Sequence, residues 1–186
     1  MTNEMITIYA EATPNPESMK FVASKMFLPN DSADFRTMDK AENSPLAKAL
    51  FEMGFVQGVF IMNNFVSVTK NSDYEWFDLI PDLRSFFQEW LEDGKEIINK
   101  VKDLSPEQET EIERKIKQLL EDHVKPAVEM DGGAIDFKSF KDGVVTVELK
   151  GSCSGCPSST MTLKSGIENL LKRMVPEVET VEAYGV

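Results

Sequence analysis

Apolar positions along the first half of the chain change period several times. Met5 to Ala10 and Met19 to Ala23 are short β-like runs separated by Thr13-Pro14-Asn15-Pro16. Two prolines there fix φ and remove two backbone donors, so this segment is predicted as a turn. Ser44-Pro45 supplies an N-cap and a first-turn proline, and Leu46, Ala47, Leu50, Phe51 and Met53 follow at helical spacing until Gly54 ends the run. Val56 to Met62 and Phe65 to Lys70 flank Asn63-Asn64, a pair that tolerates positive φ, which predicts a hairpin. Leu83, Phe86, Phe87, Trp90 and Leu91 then form one stripe of a helix that Pro81 is expected to start. The simplest role for that stripe is to cover the sheet, ahead of a docking surface for other proteins.

The second half has a different grammar. Ser105-Pro106-Glu107-Gln108 has the form of a capping box, and Ile112, Ile116, Leu119, Leu120 and Val124 continue a helical face that Pro126 kinks or restarts. Ile135 to Phe140 and Val144 to Leu149 are β-like around Asp142-Gly143, a strong hairpin signal. After Cys156, Pro157 opens a helix whose stripe is Leu163, Ile167, Leu170, Leu171 and Met174, and Val178 to Tyr184 forms a last strand. The expected order is helix, strand, strand, cysteine pair, helix, strand. The polar stretch around Gly94 divides the halves. The chain therefore reads as α+β, with two small α/β domains, each a small sheet covered by helices: residues 1–94, a linker over 95–104, and residues 105–186.

Composition narrows the function. The chain has 186 residues, 41% hydrophobic and 28% charged, and a net charge of -12 from 20 Lys and Arg against 32 Asp and Glu. That balance repels phosphate backbones and anionic lipid, so neither nucleic acid nor a membrane is expected as a partner. The longest unbroken apolar run is Val59 to Met62, far below the roughly 20 residues that span a bilayer. No basic segment followed by an apolar one opens the chain, and a cytoplasmic location is the expectation.

The chemistry lies in Cys153 and Cys156, the two cysteines of the chain. They sit in Gly151-Ser152-Cys153-Ser154-Gly155-Cys156-Pro157-Ser158-Ser159, on a loop that runs into a helix N-terminus. Free backbone N–H groups and the helix dipole there favour thiolate over thiol. Such a pair suits a redox dithiol, a metal site or a structural contact. A hairpin, rather than a βαβ unit, precedes it, which weakens the redox reading. Iron-sulfur clusters and structural zinc usually take four protein ligands, and one chain supplies two. A complete cysteine-ligated site would be shared, most simply between two copies related by a two-fold axis. Exposed on a loop and easily lost, such a site suits transfer better than storage.

These residues carry a resemblance. Pro126, Asp131-Gly132-Gly133, the hairpin, Gly151 to Ser159, Thr162-Leu163-Lys164 and Gly166-Ile167-Glu168 resemble the NifU-like C-terminal domain of the Nfu-type iron-sulfur cluster carriers. Thr13-Pro14-Asn15-Pro16, Met19-Lys20-Phe21, Ser44-Pro45-Leu46-Ala47 and Val68-Thr69-Lys70 resemble the N-terminal domain of the same proteins. The resemblance implies that Cys153 and Cys156 are metal ligands and bind a 4Fe-4S cluster, with 2Fe-2S also open, between two protomers of a homodimer. It implies no enzyme activity. The cluster would come from a separate assembly scaffold and pass to apo iron-sulfur proteins. The family usually has an acidic residue where this chain has Ala134. The residues alone keep two rivals open: a dithiol-disulfide oxidoreductase with Cys153 attacking and Cys156 resolving, and a zinc-bridged structural dimer.

Other polar residues have plainer readings. His123, the one histidine, falls near the apolar face and is expected to pack or hydrogen-bond there. Asp131-Gly132-Gly133 is expected to be a helix cap and turn that shapes the cysteine surroundings. Ser158, Ser159 and Thr160 are expected to satisfy first-turn N–H groups, and one histidine gives a hydrolase triad little support.

Overall fold

The computed structural model describes residues 5–99, 110–153 and 157–184. The chain divides into two compact units, Met1–Val101 and Lys102–Val186. Each has its own sheet and its own core.

The first unit is an antiparallel five-stranded sheet. Its strands are β1 (Ile8–Ala12), β2 (Ser18–Ala23), β3 (Leu28–Phe35), β4 (Val56–Asn63) and β5 (Phe65–Lys70), in the spatial order β1-β2-β5-β4-β3. Helices α1 (Pro45–Phe51) and α2 (Trp76–Glu92) share the core. Alternation selects which side chains enter it. Phe21 and Ala23 of β2, Val66 and Val68 of β5, and Val59 and Ile61 of β4 are buried with Leu46 and Leu50 of α1 and Leu83 and Phe87 of α2. The α2 stripe is thus a core stripe, with Phe87 fully buried 5.2 Å from Phe21.

Several local signals act as read. The Ser44 hydroxyl accepts from the Ala47 N–H at 3.2 Å, with Pro45 opening α1. Met62 pairs with Phe65 across Asn63-Asn64, and Asn63 takes φ of 45°. Three expectations are corrected. Helix α2 begins at Trp76, so Pro81 lies inside it rather than at its start. Strand β1 begins at Ile8 because its partner β2 ends at Ala23, opposite Ile8. Strand β3 was not foreseen: it is an edge strand, polar in sequence, with a register shift between Leu28 and Ser32. Residues 95–99, expected as linker, are tied to this unit: Ser44 Oγ donates to the Ile97 carbonyl at 2.6 Å and the Asn99 N–H to the Asn43 carbonyl at 2.7 Å.

The second unit opens with α3 (Glu111–Leu119), a π-helical turn (Leu120–Val124) and α4 (Lys125–Met130). The Ser105 to Gln108 signal lies outside the described residues. The described helix has a capping box of its own, in which Thr110 accepts from the Glu113 N–H and the Glu113 carboxylate accepts from the Thr110 N–H. The π turn corrects the reading of His123. An α-helix would place residue 123 above Leu119, at i+4. The wider i to i+5 turn instead puts Val124 there, buried, and leaves His123 exposed. Strands β6 (Gly133–Lys141) and β7 (Val144–Gly151) pair antiparallel, with Asp142 and Gly143 both at positive φ in the turn. Helix α5 (Pro157–Met174) then crosses to β8 (Thr180–Tyr184), which pairs parallel to β7. Ile167 and Leu171 carry the α5 stripe into the core, whereas Met174 at its end is 44% exposed. Among the described residues no helix is long and apolar enough to cross a membrane.

Candidate metal-binding loop

The cysteine loop leaves the end of β7 and is fastened from two sides. On one side stands Asp131-Gly132-Gly133, where α4 gives way to β6. Gly132 takes φ of 79° just past the helix end, as the cap reading expected. Its carbonyl accepts from the Ser152 N–H at 3.3 Å, and the Asp131 carbonyl accepts a short bond from Ser152 Oγ. Gly133 pairs across the ladder with Gly151, itself at φ of 67°. The loop is therefore laced to the glycine pair through the buried Ser152.

On the other side is α5. Thr160, in its first turn, donates its hydroxyl to the Cys153 carbonyl at 3.3 Å. That bond to the incoming loop is a contact the sequence does not predict. The side chains of Ser158 and Ser159 lie outside the described residues, as does Cys156 with its neighbours Ser154 and Gly155.

Cys153 is 6% exposed and belongs to the core of the second unit, beside Leu149 and Ile167. This corrects the expectation of an exposed thiol. The reason is Gly133: a Cβ added there would stand 2.8 Å from the Cys153 sulfur and 2.6 Å from the Lys150 carbonyl oxygen. Absence of a side chain makes the space into which the thiol packs. The sequence connects Asp131-Gly132-Gly133 with the cysteine surroundings, but the bonds of Ser152 and Thr160 and the packing of Gly133 on Cys153 are visible only in the fold.

Farther along α5, the Glu168 carboxylate ties the helix to β8. It accepts from Lys172 Nζ at 2.6 Å, from the Val181 N–H at 3.0 Å and from the Thr180 hydroxyl at 3.0 Å. The Lys172 bond first, then those from Val181 and Thr180, lower its pKa to about 2. Among the described residues, no group of three or more His, Cys, Asp or Glu side chains could hold a metal ion. The thiol and imidazole donors of this unit are the two cysteines and His123, and exposed His123 sits on the π turn.

Two α+β units, the second presenting a glycine-backed thiol before a helix, define a class that comparison with known proteins identifies. Residues 8–94 match the family model for the scaffold protein Nfu/NifU N terminal, and residues 116–182 match that for the NifU-like domain. The human protein named NFU1 iron-sulfur cluster scaffold homolog, mitochondrial, is 39% identical over 179 residues, covering 94% of this chain and 70% of its own. NifU-like protein 5, mitochondrial, of Arabidopsis thaliana is 40% identical over 183 residues, covering 94% of this chain and 66% of its own. The chain thus spans about two thirds of the length of these relatives. The solution NMR structure of a NifU-like protein from Saccharomyces cerevisiae aligns with 54% of this chain and 92% of its own at 22% identity, with a TM-score of 0.48.

The chain belongs to the Nfu/NifU scaffold family. One expectation falls here. Both curated relatives are named as mitochondrial, which points away from the cytoplasmic location expected above. That expectation rested on missing address signals, and a missing signal specifies no compartment.

Proposed function

We propose that this chain is an iron-sulfur cluster carrier. Two protomers hold a labile 4Fe-4S cluster through Cys153 and Cys156 of each and pass it to apo-proteins. The observation that carries the reading is the loop around Cys153. A soft sulfur donor is packed against Gly133, with its backbone fixed by Thr160 and its neighbour Ser152 fixed to Asp131. Thiolates are the ligands that iron-sulfur clusters take, usually four of them. Two cysteines in the chain therefore favour a site completed by a second copy. The name of the human relative supports the same class of cargo.

Delivery is ligand exchange. An acceptor thiolate forms a bond to an iron as the bond from Cys153 or Cys156 breaks, one ligand at a time, with no change in oxidation state. Tighter chelation within the acceptor drives the exchange. The cluster itself is received from a separate assembly scaffold. Residues 1–94 contain neither cysteine nor histidine, so they lack the usual soft ligands and serve to recognise partners.

The test is anaerobic reconstitution with iron and sulfide, then size-exclusion chromatography, an absorbance spectrum and metal analysis, beside a Cys153→Ser, Cys156→Ser variant. A brown dimer with about two irons and two sulfides per chain, absent in the variant, is expected. A colourless monomer under all conditions would overturn the reading in favour of a redox dithiol. A colourless stable dimer would favour bridging zinc.

A further inference from the structure

The second unit holds an open cavity of about 290 Å³ between its first helices and strand β6. Ile135, Asp136, Phe137 and Lys138 of β6 all line it. Consecutive strand residues alternate faces, so a cavity that meets four in a row runs along the strand's edge. Strand β6 is an edge strand, with β7 as its one neighbour in the sheet. The helical wall is Lys117, Leu120, Glu121 and Lys125. The π turn decides which side chain completes that wall. In an α-helix Val124 would stand over Leu120, at i+4. The i to i+5 turn puts Lys125 there instead, its N–H bonded to the Leu120 carbonyl, while Val124 enters the core. π turns of this kind are frequent at functional sites.

Charge at this cavity runs against the charge of the chain. The protein carries -12 overall, yet three lysines line the cavity against Glu121 and Asp136. Lys150 further neutralises Asp136, with its Nζ 2.5 Å from the carboxylate. Lys125 and Lys138 pair with Glu121 and Glu148 at 2.9 and 2.8 Å, but those carboxylates are 61% and 38% exposed, and such pairs are weak. Lys117 Nζ stands 5.2 Å from the centre of the Phe137 ring, so cation and aromatic surface adjoin. Buried Leu120 and Ile135 add apolar lining. We propose that the cavity binds a small organic carboxylate, its charged end among Lys117, Lys125 and Lys138 and its hydrocarbon body against Phe137, Leu120 and Ile135. The volume is at the lower end for ligand sites, which suits a molecule of one ring or a short chain. Phosphate alone would leave the apolar lining uncovered, and a neutral amide would leave the lysines without a counter-charge. Among the described residues, Cys153, Ser152 and Thr160 do not line the cavity, so the proposal does not rest on the cluster reading.

The test titrates phenylpropionate into the full chain at low salt and follows backbone amide chemical shifts. Saturable shifts are expected, largest over Ile135 to Lys138 and Leu120 to Lys125, with a dissociation constant of about 1 mM or below. Lys117→Gln together with Lys125→Gln is expected to weaken binding about tenfold, and added salt to weaken it in the wild type. Lys141→Gln, an exposed lysine at the far end of β6, is expected to bind as wild type. Phenylpropionamide and inorganic phosphate are each expected to bind the wild type about tenfold more weakly than phenylpropionate. Shifts that do not saturate, or a double Gln variant that binds as wild type, overturn the proposal. Equal binding of the amide overturns it by removing the role of charge, and equal binding of phosphate by removing the role of the apolar lining. Should the double variant lose stability, these two comparisons, made on the wild type, decide the matter.

Discussion

Gly133 and Cys153 lie twenty residues apart in sequence and touch in the fold, the sulfur occupying ground that any Cβ at position 133 would claim. Both positions belong to glycine-bearing segments, and their contact explains why those segments occur together in one unit. The first shapes the space, and the second places a thiol in it.

Gly133→Ala should therefore act on the thiol. The added Cβ would sit 2.6 Å from the Lys150 carbonyl oxygen and 2.8 Å from the Cys153 sulfur, so backbone or side chain must shift. Overpacking of this kind costs about 1–3 kcal/mol, read from chemical denaturation. Cys153 should be pushed outward and label faster with a neutral thiol reagent than in the wild type, where it is 6% exposed. Equal labelling rates would show that the core absorbs the methyl elsewhere.

Loosening the loop without crowding it is a separate test. Ser152 is buried, and its hydroxyl and N–H both bond to the Asp131-Gly132 turn. Ser152→Ala keeps the N–H bond and removes the hydroxyl bond, for a loss of about 1 kcal/mol. Thr160→Val removes the hydroxyl that reaches the Cys153 carbonyl at similar volume. Neither residue is a ligand in the proposed site, so both variants should still load iron but release it to a chelator faster. Release at the wild-type rate would show that the loop holds its shape without these bonds.

The pH dependence of the second unit should carry the mark of Glu168. Its pKa is lowered from 4.5 to about 2 by bonds that exist only in the folded chain. A depressed carboxylate stabilises the fold above its unfolded value, and that contribution is lost as pH falls from about 4.5 towards about 2. Glu168→Gln should flatten this part of the curve, measured as the urea midpoint between pH 6 and pH 2. An unaltered slope would show that Lys172, Thr180 and Val181 do not hold the carboxylate in solution as they do here.

What could be read from sequence follows the range of the interactions. Ser44-Pro45, Asn63-Asn64 and Asp142-Gly143 act within a few residues, and each built the element expected of it. Strand β3 is different, because its Pro29, Asn30 and Asp31 look like a loop and it is a strand only through pairing with β4. His123 was misplaced because one π turn changes the helical phase, and no residue in Leu120 to Val124 announces it. The cysteines stand out in the sequence through their spacing, but the packing of Gly133 and the bonds of Ser152 and Thr160 join segments far apart along the chain. Such contacts leave no local pattern.

Separate cores allow the role of the first unit to be tested directly. Residues 95–99 are bonded to that unit through Ser44 and Asn43, so the cut belongs after residue 101 rather than at Gly94. The remaining chain keeps Cys153, Cys156 and the whole core around Ile167, Leu171 and Leu149. It should load iron and sulfide to about the same level per chain as the full protein. Transfer is where the two should part. If the first unit recognises partners, the truncated carrier should deliver its cluster several-fold more slowly to some acceptors and at an unchanged rate to others, because recognition is specific to the partner's surface while ligand exchange is not. Unchanged rates across a panel of acceptors would remove the recognition role from residues 1–94.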